Sequence, residues 1–278
     1  PVGVAWVVNS YKKKGKALGI NGIFGGIGIG SGAFIAGTLV NLFGWESAFI
    51  VPGILSILIS VILFTLIQFK LLSFKNVSSE FLDENHSSTQ LILVAIILLT
   101  AMFGLGLTFQ IIQTTLPKLL DLRIENITTY KIGVVVALIY GMSGLMSLVG
   151  GLLADKFSLK KIYIIGLLGQ VPCLYFIASL TGLPLIILCL MAVLFNSSIL
   201  PAENILLAKF TPEKHHGLIY GVKFIVSFGA GPIAVFLIAK VYEFTSEFSA
   251  LFLLSSLIML LIVILALFLP VKNKQLIK

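Results

Sequence analysis

Glu203 and Lys223 are ionisable residues set inside otherwise apolar stretches, and their types and positions make them the first candidates for chemistry. A charge in hydrocarbon is expensive, so such groups pair, reach back to the interface, or handle an ion or solute. Glu203 lies about five residues before the end of one apolar stretch and Lys223 about six after the start of the next. Antiparallel helices would therefore hold both about 8 to 9 Å from the same boundary, at 1.5 Å per residue. Lysine can snorkel over that distance. Two readings stand: a structural ion pair or snorkelling, and a role in substrate or proton handling. Lys223 facing a cavity would favour an anionic solute such as a carboxylate; Glu203 facing it alone would favour a proton or a cation.

Enzymatic chemistry would need acid, base, nucleophile or metal groups gathered at one depth, and the chain offers no such cluster, so no enzyme activity and no cofactor are expected. His86, His215 and His216 fall in polar loops. Two adjacent histidines beside Pro212 and Glu213 lack the convergent ligands and outer-shell support of a metal site, so they are expected to be solvated and no metal is expected. Cys173 and Cys189 lie inside apolar stretches, where free cysteine behaves as a small hydrophobe, and no disulfide framework is read from them.

The elements that carry these residues follow from composition. Hydrophobic residues make up 58% of the chain, charged residues 11%, and the mean hydropathy is +1.11. A soluble domain carries about 25% charged residues, so the expected solvent is a bilayer. Eight runs are long enough to cross a hydrocarbon core, at about 17–40, 47–69, 91–116, 131–153, 162–181, 184–207, 218–239 and 248–270. No alternating strand pattern recurs, so the spans are expected to be helices and the fold class all-α, polytopic membrane protein.

The net charge of +8 tracks topology rather than nucleic acid. With Lys12 to Lys16 inside, eight crossings put fourteen Lys and Arg inside and four outside, namely Lys118, Arg123, Lys131 and Lys240, with Lys223 left within a span. That asymmetry is what the positive-inside rule expects, and it places the loop at 70–90 and the tail from Lys272 in the cytoplasm.

Between two of the spans lies Gly151-Leu-Leu-Ala-Asp155-Lys156-Phe-Ser158-Leu-Lys160-Lys161. It resembles the signature loop of the major facilitator superfamily, Gly-x-x-x-Asp-[Arg/Lys]-x-[Gly/Ser]-[Arg/Lys]-[Arg/Lys], with Leu159 where a basic residue is commoner. A second stretch, Gly19 to Gly37 followed by Gly44-Trp45-Glu46-Ser47-Ala48-Phe49, is similar to the superfamily's glycine-rich fifth helix, with Ala33 in place of the antiporter-associated proline. A third, Pro201 to Gly221 and then Gly229-Ala-Gly-Pro232, resembles the end of helix 10, its inner loop and helix 11, with His216 at the usual basic position.

The resemblance implies twelve helices in two six-helix halves, and the visible spans would be helices 5 to 12. Residues 1–69 would then be a remnant of the N-terminal half, holding the end of helix 4 and helices 5 and 6. Residues 70–90 would be a cytoplasmic linker, and 91–278 the C-terminal half, helices 7 to 12 with a short tail. Residues Pro1 to Val8 read as the last turns of a severed helix, and Pro1 to Ser10, which has no initiator Met, charged leader or small-residue cleavage site, is not expected to be a signal peptide. A fragment lacking half its cavity is not expected to transport.

By the same resemblance, Asp155 meets the positive N-terminal end of the helix starting near Lys16 to Gly19, in a contact that breaks in the other transport state. Gly151, Asp155, Lys156, Lys160 and Lys161 would form that gating loop. A charged hairpin obeying the positive-inside rule is the plainer reading. Helices 7, 8, 10 and 11 would line the cavity, which makes Gln110, Gln113, Tyr140 and Asn196, with Glu203 and Lys223, the candidates for contact with substrate. Ser197 and Ser198, beside Asn196 on the same helix, are candidates too, whereas Gln170 and Tyr175 belong to helix 9, which the resemblance places at the periphery. Such polar groups can equally be interhelical glue.

The glycines carry a physical reading of their own. Gly22, Gly26 and Gly30 repeat every fourth residue, as do Gly28 and Gly32; together with Gly37 they are expected to let another backbone approach closely, as static packing or as a sliding surface.

The expected function is a secondary active transporter moving a small organic solute by alternating access, coupled to H+ or Na+. The alternative is a non-transporting membrane receptor or assembly factor on the same fold. The expected partners are that solute, the coupling ion and the lipid bilayer, with no nucleic acid. The expected state is a monomer, and the expected location is the plasma (inner) membrane.

Overall fold

The computed structural model describes residues 2–71 and 88–270. Residues 72–87 of the expected linker, His86 among them, and the tail from 271 lie outside those residues. Every regular element among the described residues is a helix: α1 (Val2–Ser10), α2 (Lys14–Phe43), α3 (Ser47–Gln68), α4 (Ser88–Arg123), α5 (Thr129–Lys156), α6 (Leu159–Ile177), α7 (Gly182–Lys209), α8 (His216–Thr245) and α9 (Ser249–Leu267), with one 3₁₀ turn at Glu213–His215. Eight of these, α2 to α9, are long and apolar enough to cross a membrane. At nine residues α1 is too short, reaching only about 14 Å.

The helices extend past the hydropathy limits where the chain stays regular. α4 was expected to stop at 116, ahead of Pro117, yet it continues to Arg123. Proline removes one backbone donor and leaves the Gln113 carbonyl without its helical partner, a loss that membrane helices absorb when neighbours pack around them.

Helices α4 to α9 pack as one bundle. α7 lies between α5 and α6, α9 rests on α6 and α4, and α8 lies along α4. The interior is filled by Leu98, Met102, Ile111, Leu116, Tyr163 and Phe252, all fully buried. α2 runs along α5, α1 touches α2, α8 and α7, and among the described residues α3 packs chiefly on α2. The α2–α3 turn is closed at Gly44, whose φ of +88° suits a residue without Cβ. Ser47 Oγ then donates to the Leu39 and Gly44 carbonyls at 2.8 and 2.6 Å.

Helix direction alternates, so two ends are defined. α1, α5, α7 and α9 finish, and α2, α6 and α8 begin, at the end that holds the 151–161 loop, here called the clasp end. Arg123, at the end of α4, marks the far end.

Candidate functional site

At the clasp end Asp155 closes α5 and leans onto the first turn of α2. Its two carboxylate oxygens accept hydrogen bonds from the Gly15 and Lys16 backbone N–H groups, each at 2.8 Å. Those donors belong to the first turn of a helix and have no intrahelical partner, and the carboxylate also meets the positive end of the helix dipole. The approach requires glycine on both sides. A Cβ on Gly15 would stand 2.1 Å from the Gly151 carbonyl oxygen, and one on Gly151 would stand 2.1 Å from the Gly15 oxygen.

The close approach continues up the helix pair. Gly19 lies on the Ser147–Leu148 backbone, Gly22 on Ser147, Gly26 on Gly144, and Gly30 on the Ala137 carbonyl and Gly141. Gly28 and Gly32 do not take part. At 100° per residue they point roughly opposite to Gly26 and Gly30, and a Cβ on either would meet nothing within 4 Å. The surroundings of Gly37 lie outside the described side chains.

The basic residues of the loop divide. Lys160 does not face α2: its Nζ donates to the Leu267 and Leu269 carbonyls at the end of α9, a cation at the negative end of a helix within the six-helix bundle. Lys156 and Lys161 are exposed.

Glu203 on α7 and Lys223 on α8 form a direct ion pair, with the two residues only 1% and 6% exposed. They lie six and seven residues from the clasp-end limits of their helices, about 9 and 10 Å deep. Lys223 Nζ also donates to Asn204 Oδ1 at 2.6 Å, Tyr220 Oη donates to the Asn204 carbonyl at 2.7 Å, and Tyr163 Oη donates to Glu203 Oε2 at 3.3 Å. Lysine therefore does not snorkel out here; it turns inward to the carboxylate.

Among the uncharged candidates, Gln110 and Gln113 share one half-buried face of α4, and Gln110 Nε2 lies against Gly231 of α8. Tyr140 is buried with its ring edge-on to Phe109, and its hydroxyl has no hydrogen-bond partner among the described residues. For Asn196 the contacts fit the second of the two readings above. It is buried against α6, where its Nδ2 donates to Gln170 Oε1 at 3.2 Å, so it works as interhelical glue. Gln170, expected at the periphery, is fully buried as its partner. Ser197 and Ser198 are also buried, and the Ser198 backbone abuts Gly150.

Two residues escaped the sequence reading. His216 is not solvated: it is 1% exposed, its Nδ1 meets Asn9 Oδ1 of α1 at 2.9 Å, and its Nε2 donates to the Ala208 and Thr211 carbonyls at 3.0 Å each. It is a second clasp-end contact between the α1–α3 segment and the bundle. At the far end Arg123, counted before only as a topological charge, pairs with Glu247 and donates to the Ile177, Ala178 and Leu180 carbonyls and Ser249 Oγ. The guanidinium holds the Glu247 carboxyl down at about 2. A basic residue ending one helix, with an acid just before another, was the available signal.

A family model described as the Major Facilitator Superfamily matches residues 1–142 and 98–277, nearly the whole chain. The chain belongs to the Major Facilitator Superfamily. Membership makes it a multi-pass membrane protein, in agreement with its eight apolar helices. Among solved structures it is similar to FucP, a superfamily transporter in the outward conformation, and to a point variant of FucP described as the E. coli fucose:proton symporter. Each match has 16% identity and a TM-score of 0.64 over 84% of this chain, which shows a shared fold. The chain spans 58% and 59% of the length of those two structures. A search of curated proteins finds no match.

Proposed function

We propose that this chain is the larger part of a secondary active transporter that moves a small organic solute by alternating access, coupled to an ion, with H+ favoured over Na+. The observation that carries the reading is the Asp155 carboxylate, which reaches from the α4–α9 bundle onto the N-terminus of α2. The bond sits where α2 begins against the end of α5, and in this reading it opens when those two helices part at the clasp end. In this reading α1–α3 (residues 1–69) belong to one half, 70–90 tether it, and 91–278 form the other. Asp155 and the glycine seam from Gly15 to Gly30 close the cytoplasmic side, and Lys160 braces α9.

Within the bundle the solute would meet Gln110, Gln113 and the hydroxyl of Tyr140, which has no partner among the described residues, while the buried Glu203 and Lys223 supply the ionisable groups that coupling needs. FucP, which has the same fold, is described as a fucose:proton symporter, and this supports a proton as the coupling ion. The protein would work as a monomer in the inner membrane, with linker and tail in the cytoplasm. The chemistry is binding and translocation, not catalysis.

The test is flux. Proteoliposomes holding the longest natural chain that carries these residues should accumulate a labelled solute, and an uncoupler should abolish the accumulation. Solute binding without flux would refute the proposal and make the protein a receptor.

A further inference from the structure

Building on the transporter reading, we infer that Glu203, Lys223 and Asn204 form an exchange site for one proton and one carboxylate, and that the cargo is a small organic monoanion carried with H+. The sequence left two options: an anion for Lys223, or a proton for Glu203. They become one because the two side chains face each other in a buried pair. Apolar residues of the same volume would hold the helices at least as well, so a buried ion pair is poor bracing. This pair joins α7 to α8, although α8 packs along α4 and its backbone scarcely approaches α7.

The exchange balances charge. At rest the ammonium and the carboxylate sum to zero. A proton that binds Glu203 Oε neutralises it and leaves Lys223 as an uncompensated charge in an enclosed site. A cargo carboxylate then replaces Glu203 as the partner of Lys223, and the sum returns to zero. One proton and one monoanion enter and leave together, and no net charge crosses. A dianion would leave one negative charge unpaired, and a neutral solute would leave the ammonium unpaired; both are penalised in such a site.

The neighbouring groups suit both states. Protonated Glu203 can donate to Tyr163 Oη, the group that donates to it at rest. Lys223 keeps Asn204 Oδ1 at 2.6 Å, and Asn204 Nδ2, which has no partner among the described residues, is a second donor for the cargo carboxylate. The titratable groups facing Glu203 are Tyr163 from α6 and Tyr220 and Lys223 from α8. The same α8 stripe begins at His216, whose ring stands edge-on to Tyr220 at 6.4 Å and which contacts Asn9 of α1. The site is thus linked by direct packing to a contact that must part when the clasp end opens.

The experiment uses proteoliposomes of the longest natural chain, with an inside-alkaline pH gradient. The probes are labelled lactate and pyruvate as monocarboxylates, a neutral sugar and a primary amine. The expected result is accumulation of a monocarboxylate at a rate that a clamped membrane potential does not change. Glu203→Gln should lose gradient-driven accumulation but keep carboxylate exchange, because exchange does not require the proton to leave. Lys223→Gln should weaken half-saturation by about a hundredfold, as expected when one partner of a buried charge pair is removed.

The double variant Glu203→Gln/Lys223→Gln leaves no buried charge unpaired, so it tests function apart from folding, and it should not accumulate the probe. Wild-type accumulation by the double variant would overturn the inference and make the pair a brace. Flux of the sugar or amine without the carboxylates would overturn it too, while leaving the transporter reading intact. Binding without flux of any probe would refute both.

Discussion

Asp155 at the clasp end and Arg123 at the far end each set a charge against a helix terminus, but they join different things. Asp155 takes two backbone hydrogen bonds from the N-terminus of α2, across the boundary between the α1–α3 segment and the bundle, and it is only half-buried. Arg123 is 6% exposed at its side chain and ties the C-terminus of α6 to the start of α9, all within the bundle. A charge at a helix end is worth about 0.3 to 1 kcal/mol when exposed and about 2 when partly buried. One such bond across a boundary can open. A buried guanidinium with carbonyl, carboxylate and hydroxyl partners cannot open without disordering the bundle end.

The largest effect should come from breaking the far-end contact. Arg123→Ala strands Glu247 and three carbonyls, and we expect a loss of about 3 kcal/mol, the low end for removing one partner of a buried pair because Glu247 is partly exposed. Thermal unfolding in detergent measures it, and an unchanged Tm would show that the contact is ornamental. The same bond predicts an acid transition. The Glu247 carboxyl is depressed from its ordinary 4.5 to about 2, mainly by hydrogen bonding to Arg123, so its stabilisation is complete above 4.5 and is lost as pH falls from there towards 2. Glu247→Gln should flatten that part of the stability–pH curve, and a curve of the same shape in both proteins would assign the transition elsewhere.

Next in size is the glycine seam. A methyl at Gly15 would meet backbone oxygen at 2.1 Å, where nothing soft can yield, so Gly15→Ala should cost about 2 kcal/mol or part α2 from α5. Gly28→Ala meets open space and should be neutral or slightly stabilising, by up to about 1 kcal/mol, because alanine favours helix. Equal losses at the two positions would mean that packing of the glycine seam is not what holds α2.

These residues also show what the sequence could and could not tell. The spans were legible because a bilayer demands about twenty apolar residues, and the partner region of Asp155 was legible because a motif supplied it. The spacing separates Gly22, Gly26 and Gly30 from Gly28 and Gly32, yet periodicity does not say which stripe has a neighbour. Which of its two readings suits Asn196 was hidden for the same reason: the rotation of an apolar helix about its own axis is set by packing, and an all-round apolar helix has no polar face to report it. His216 looked like a loop histidine because its partners, Asn9 and two carbonyls, are either distant in sequence or backbone.

The smallest change in stability should come from Asp155→Asn, and it is the sharpest test of the comparison. Asparagine keeps one acceptor oxygen and loses the charge, so the closed arrangement should weaken by about 1 kcal/mol, or about fivefold in the closed-to-open ratio. Since the bond lies where α2 begins against the end of α5, that energy should appear in the relative position of those two helices, with little change in Tm. Spin labels at the exposed Tyr11 and Lys214, on either side of the boundary, would read it as a longer-distance population that grows in the variant. Arg123→Ala should do the reverse, lowering Tm and leaving that distance alone. If Asp155→Asn lowers Tm as far as Arg123→Ala and does not change the label distances, the clasp is a brace like its counterpart at the far end, and the boundary it crosses does not move.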